Sequence, residues 1–364
     1  MTESGGPEQR TAEVALPATT PRAVHPWVAE QARRIRFGIG TGPTSSWSDL
    51  RAWVQTIERL GFDSFWLGDH PMGGADCWTT LAALAAHTER LRLGPLVSCV
   101  YYRPAGLLAR QAADVDRLSR GRLVLGLGAG DIPHEFAQLG LAYPPFRERA
   151  TALAETIALV RGLWAADGAP VTLRGAHVRA EAARLGSRPV QLPHVPLLIA
   201  GGGERITLRQ VAEHADACNF GPNGATGSAW DLPDVQRKLA ALDAHCAAVG
   251  RPPAAVLRSH IAWVVLRETD AAVEAALAAR PNRADMREAA GEPTLPRRLT
   301  AYYRLPSLEH VANVTVAGTP RQLVAYYQAL IAAGVRYFVV VPYGDSETVR
   351  LLAEAVAPHL EVPA

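Results

Sequence analysis

Residues 121–136 read GRLVLGLGAGDIPHEF. Leu123 to Leu127 is an apolar run of strand length, Gly126, Gly128 and Gly130 make a glycine loop, Asp131 follows, and Pro133 stands where a helix opens. Glycine takes φ > 0 without steric cost and lets a ligand come close to the backbone. Free N–H groups beside a helix start favour a phosphate or a ring edge. Asp131 occupies the place of the third glycine of G-x-G-x-x-G, so the dinucleotide fingerprint is not met. A strand that ends in such a loop and feeds a helix is one β/α unit, and the number of such units decides the fold.

Working outward, the same alternation recurs from residue 35 onward. Apolar runs at 35–40, 62–67, 91–100, 123–127, 196–200, 217–220, 260–266 and 335–341 are separated by segments with helical spacing, such as Leu50, Val54, Ile57 and Leu60. Eight strands alternating with helices predict a parallel sheet, and eight units fit a closed (β/α)8 TIM barrel whose site lies at the C-terminal strand ends. The rival architecture is an open, doubly wound sheet. Two stretches interrupt the pattern. Residues 166–195 read as an insertion after helix 4 with short β-like pieces at 171–173 and 190–192, and residues 268–315 as an arginine-rich insertion after strand 7. Residues 1–34 read as a disordered tail ending in a segment that packs Trp27, residues 35–358 as one barrel domain, and 359–364 as a C-terminal tail.

Composition narrows the class. At 364 residues with 48% hydrophobic content and 20% charged residues, the chain suits a large-cored globular protein. A net charge of +2 argues against nucleic acid as the main partner. The chain has no apolar run of about 20 residues for a membrane span and no signal-peptide pattern, and its four cysteines have no metal or C-x-x-C spacing. The expectation is a cytoplasmic protein with free thiols and no metal site.

A barrel would gather the strand ends into one mouth. His70 is the candidate for acid–base work, because imidazole titrates near working pH; the plain alternative is that it packs before Pro71. Asp69 has three open roles: fixing the His70 tautomer, binding a ligand hydroxyl, or capping. Glu135 reads as favourable charge at a helix N-terminus. Gly201, Gly202 and Gly203 form a second glycine turn after strand 5. Trp66 and Trp78 read as core or as flanks of a flat ring, and the arginines from Arg280 to Arg304 as a solvated loop.

The segments DSFWLGDH (63–70), RPAGLLARQAADVDRLSRGRLVLGLGAG (103–130), PLLIAGGG (196–203), ADACNFGP (215–222) and AGTPRQLVAYYQALIAAGVRYFVV (317–340) resemble the bacterial luciferase-like superfamily of flavin-dependent monooxygenases and deazaflavin (coenzyme F-420) oxidoreductases. The resemblance covers about residues 35–358. It implies a TIM barrel with a flavin-type cofactor, FMN or F-420, across the strand ends. By position it implies His70 as the active-site histidine and Asp69, Gly128, Ala129, Gly130, Asp131, Gly201, Gly202 and Gly203 as cofactor contacts. It also implies a non-prolyl cis peptide near Leu96 and Val97, behind the ring. Asp131 departs from the glutamate common in deazaflavin members, and the short loop after His70 lacks a usual aromatic.

The function expected is hydride transfer between the deazaflavin and a small organic substrate, with His70 moving the accompanying proton. Two alternatives stand beside it: a two-component monooxygenase using O2 and FMN from a partner reductase, and a non-catalytic flavin-binding barrel. A nicotinamide dehydrogenase on an open sheet is disfavoured by Asp131. The resemblance also implies a homodimer, for which the sequence offers Leu107, Leu108 and Val115.

Overall fold

In a computed structural model, residues 12–13, 23–31, 34–42, 46–71, 73–222, 229, 231–279, 315–342 and 344–363 are described. Among these residues, ten parallel strands make the main sheet: β1 (Arg36–Gly40), β2 (Ser64–Leu67), β3 (Arg92–Pro95), β4 (Ser98–Cys99), β5 (Leu125–Gly128), β6 (Leu197–Ala200), β7 (Ala217–Phe220), β8 (Leu257–Leu266), β9 (Thr315–Gly318) and β10 (Tyr337–Val341). Their order is β3-β2-β1-β10-β8-β7-β6-β5-β4, with β9 beside the end of β8. β3 and β4 are the two halves of one strand, parted at the cis peptide Leu96–Val97. A bridge between Leu93 and Leu123 completes the ring. The expected (β/α)8 barrel is therefore present, and the open sheet is not.

Each helix forms for a local reason. Ser46 caps α2 (Trp47–Arg59) by accepting from the Asp49 N–H, and its apolar stripe of Leu50, Trp53, Val54 and Ile57 is buried on the strands. Other helices that position the site are α3 (Cys77–His87), α4 (Ala105–Leu118), α5 (Pro133–Gln138), α6 (Phe146–Ala165), α7 (Thr207–His214) and α8 (Leu232–Ala248). In α4, Leu108 and Val115 are buried in the chain's own core; of the residues offered for a dimer face, Leu107 alone is exposed.

The core has two layers. The larger lies between strands and helices; the smaller fills the barrel and joins Trp27, Trp66, Val124, Ala217, Leu257 and Tyr337. Trp27 comes from α1 (Pro26–Gln31), inside the stretch read as tail. It packs edge-on to Tyr337 at 5.9 Å and meets residues at the starts of their strands, closing the N-terminal end of the barrel. The opposite end is left open.

One sequence expectation changes. Residues 171–174 pair with 179–183 as a hairpin, whereas residues 190–192 form no strand: the N–H groups of Val190 and Gln191 donate to the buried Asp116 carboxylate. The stretch 268–315 holds α9 (Asp270–Ala278) and the start of β9. Arg280 to Arg304 lie outside the described residues. No helix among the described residues is long and apolar enough to cross a membrane, and the four cysteines are free and buried.

Candidate active site

A cavity of about 870 Å³ opens at the C-terminal strand ends. That is the size of a small-molecule site. Leu96, Val97, Ile261 and Trp263 give it apolar walls, while His70, Asp131, Glu135 and Asn219 supply polar groups. Asp69, Gly128, Ala129, Gly130, Gly201 and Gly203 also line it. Gly202 does not; its carbonyl accepts from Lys238. Trp66 is on the cavity wall, and Trp78 is core.

The glycine loop is bare for steric reasons. Gly130 has φ +82°, and a Cβ there would come within 2.7 Å of Phe136 and 2.8 Å of the Cys99 sulfur. Arg149 from α6 braces the loop from behind. It donates to the Gly130 and Ala129 carbonyls and to Pro144, and its guanidinium stacks 4.1 Å from the Tyr143 ring. Asp131 sits at the accessible rim, where the surrounding walls displace water and raise its carboxyl pKa.

Asp69 leaves β2 and is engaged away from His70. It accepts from both terminal nitrogens of Arg103, one at 3.0 Å, and from the Ser98 hydroxyl at 2.6 Å. Ser98 in turn accepts from the Trp78 indole at 3.3 Å. This buried, bidentate pair ties the end of β2 to β4 and to the turn into α4. Of the three roles open to Asp69, holding the His70 tautomer is therefore ruled out.

Glu135 takes that role instead. Its Oε1 lies 2.7 Å from His70 Nδ1, and its Oε2 accepts from the Tyr102 hydroxyl at 2.6 Å. Burial, then the bond to this carboxylate, pushes the Tyr102 phenol pKa far up, so it stays a donor. Two donors on one carboxylate put an N–H on His70 Nδ1 and leave Nε2 outside this bond. The His70 side chain is 56% exposed while that of Glu135 is 9%, so an anchored carboxylate presents a reachable imidazole. The Cδ2–Nε2 edge lies over Gly68, where a Cβ would come 2.8 Å from Cδ2 and 3.0 Å from Nε2. Reading Glu135 as helix-terminal charge misses its pairing with His70 and Tyr102.

Cys99 also faces the cavity, but burial pushes its thiol up to about 12, which suits packing better than nucleophilic chemistry. Among the described residues no cluster of His, Cys, Asp or Glu is arranged to hold a metal. The site fits a flavin-type ring: apolar walls, rims of bare glycine backbone, and a polar edge at His70 and Asn219.

Comparison with known proteins agrees with this fold. The family model for luciferase-like monooxygenases matches residues 27–337. An F420-dependent hydroxymycolic acid dehydrogenase of Mycobacterium tuberculosis is 29% identical over 317 residues, covering 82% of this chain and 80% of that protein. An F420-dependent glucose-6-phosphate dehydrogenase of Amycolatopsis mediterranei is 35% identical over 164 residues, 43% of this chain and 48% of that protein. The chain spans about half the length of several curated relatives that it matches. A coenzyme F420-dependent tetrahydromethanopterin reductase from Methanopyrus kandleri has the same fold, with a TM-score of 0.72 at 21% identity over 90% of this chain and 100% of that one. The chain belongs to the luciferase-like monooxygenase family.

Proposed function

We propose that the protein is an oxidoreductase that transfers a hydride between a small organic substrate and a deazaflavin coenzyme of the F-420 type, with His70 as the proton partner. The observation that carries this reading is the pair of hydrogen bonds converging on Glu135, which puts an N–H on His70 Nδ1 and leaves Nε2 outside that bond, available for proton transfer. The bound deazaflavin supplies the carbon that accepts or gives the hydride.

The chain's own residues account for the rest. With an alcohol substrate, Nε2 takes the hydroxyl proton as the carbon-bound hydrogen leaves with its electron pair; in reverse, the imidazolium returns the proton to the carbonyl oxygen. The Glu135 carboxylate stabilises the imidazolium in either direction. The Asp69–Arg103 pair keeps β2, and with it His70, in register with β4. The walls around Leu96, Val97, Ile261 and Trp263 keep water from the reacting carbon.

His70→Ala tests the reading. Turnover should fall by about 10²–10⁴ while the coenzyme stays bound, the usual range for a lost general acid or base. Unchanged turnover with coenzyme bound would remove the role. The family match to monooxygenases favours a second reading, oxygenation with FMN from a reductase, in which O2 consumption follows turnover.

A further inference from the structure

The chain has 37 basic residues besides histidine, and Lys238 is the only lysine among them. It is on α8 and is 4% exposed. Its ammonium donates to the Gly202 carbonyl at 2.6 Å and lies 3.7 Å from the Glu204 carboxylate. Burying a cation is costly unless it is paired, so its place needs a reason. A compact ammonium can serve one carbonyl in a tight pocket, whereas the planar five-donor fork of arginine needs more acceptors and more room.

The reason lies in the planarity of the peptide unit. With the Gly202 carbonyl bonded to Lys238, the N–H of Gly203 in the same trans peptide points away from Lys238, and Gly203 itself lines the cavity, as Gly201 does. Gly201 adopts φ +124°, a conformation open to glycine, so the turn has little stiffness of its own. We propose that Lys238 is a positioning residue: it locks the Gly201–Gly203 turn, aims and polarises the Gly203 N–H, and so sets the affinity of the site for an anionic, phosphate-bearing part of the coenzyme. This rests on the reading under Proposed function.

The test uses the full chain and compares FMN and the deazaflavin coenzyme with their counterparts lacking the phosphate, by fluorescence titration. Lys238→Met should weaken the phosphorylated ligand about tenfold and leave the phosphate-free one within about twofold. Equal weakening of both ligands, or none, would overturn the proposal. A second measurement needs no variant. Lys238 is the one side-chain amine, so its labelling by an amine-specific reagent, followed by peptide mass mapping, should slow with the phosphorylated ligand and not with the phosphate-free one; equal rates would also overturn it. If the wild-type chain binds neither coenzyme, the functional reading itself fails, and the proposal with it.

Discussion

Oε1 of Glu135 lies 2.7 Å from Nδ1 of His70, although the two residues are 65 positions apart in the chain. One follows β5 and the other follows β2, and barrel closure brings them together at the same rim. Removing the carboxylate's charge should therefore act on the imidazole before it acts on stability. In Glu135→Gln the His70 ring should lose its fixed Nδ1–H form, visible in the ¹⁵N shifts of a histidine-labelled sample, with turnover down about 10-fold or more. An unaltered tautomer would show that the pair does not orient His70.

Gly68 carries a second expectation. A Cβ at this position would meet the His70 ring at 2.8 Å, and the ring is the movable partner. Gly68→Ala should swing the imidazole off Glu135 and cut turnover, while the melting temperature changes little. Full activity in the variant would mean that the ring position over Gly68 is not the working one.

Asp69 and Arg103 should behave differently, as a buried pair whose loss is felt by the whole fold. Their side chains are 2% and 11% exposed. Asp69→Asn leaves a buried guanidinium without its counter-charge, a change of about 3–5 kcal/mol in such pairs. Denaturant unfolding at pH 7 should show a loss of that order; a loss below about 1 kcal/mol would place the pair in effective contact with solvent.

The closed end of the barrel should respond to pH. His25 Nδ1 accepts from the Trp27 N–H at 3.1 Å and Nε2 bonds to the His194 carbonyl at 2.9 Å, an arrangement that requires the neutral ring. Burial lowers its pKa below the ordinary 6.5, partly opposed by Asp216. The unfolded chain therefore takes up the proton first. The contribution of His25 is fully present above about pH 6.5 and is lost as pH falls through that value toward the folded pKa. Melting temperatures from pH 8 to pH 5 should fall more steeply for the wild type than for His25→Gln. Trp27→Ala should cost about 3–5 kcal/mol at any pH in this range. Parallel pH profiles would show that His25 does not set the slope.

What could be read from the sequence was local. The apolar run Leu123–Leu127 and the glycines after it announce a strand and a bare loop without knowledge of any other element, and His70 stands out by its chemistry at a strand end. What escaped was non-local. Glu135 obeys a local rule for helix starts, and nothing nearby in sequence points to His70 or Tyr102. Arg103 and Lys238 look like surface cations until the fold sets Arg103 against Asp69 and Lys238 against Gly202. Val190–Leu192 alternates like a strand, but Asp116 captures its backbone donors first.

The most direct measurement is a fluorescence titration of the purified protein with the F-420 coenzyme and, separately, with FMN, without oxygen, followed by a search for reduction of the bound coenzyme by small alcohols. Preferential binding of F-420, with reduction that needs no O2 and is lost in His70→Ala, is the expected result. Binding of FMN alone with O2 consumed on turnover, or binding of neither coenzyme, would contradict it.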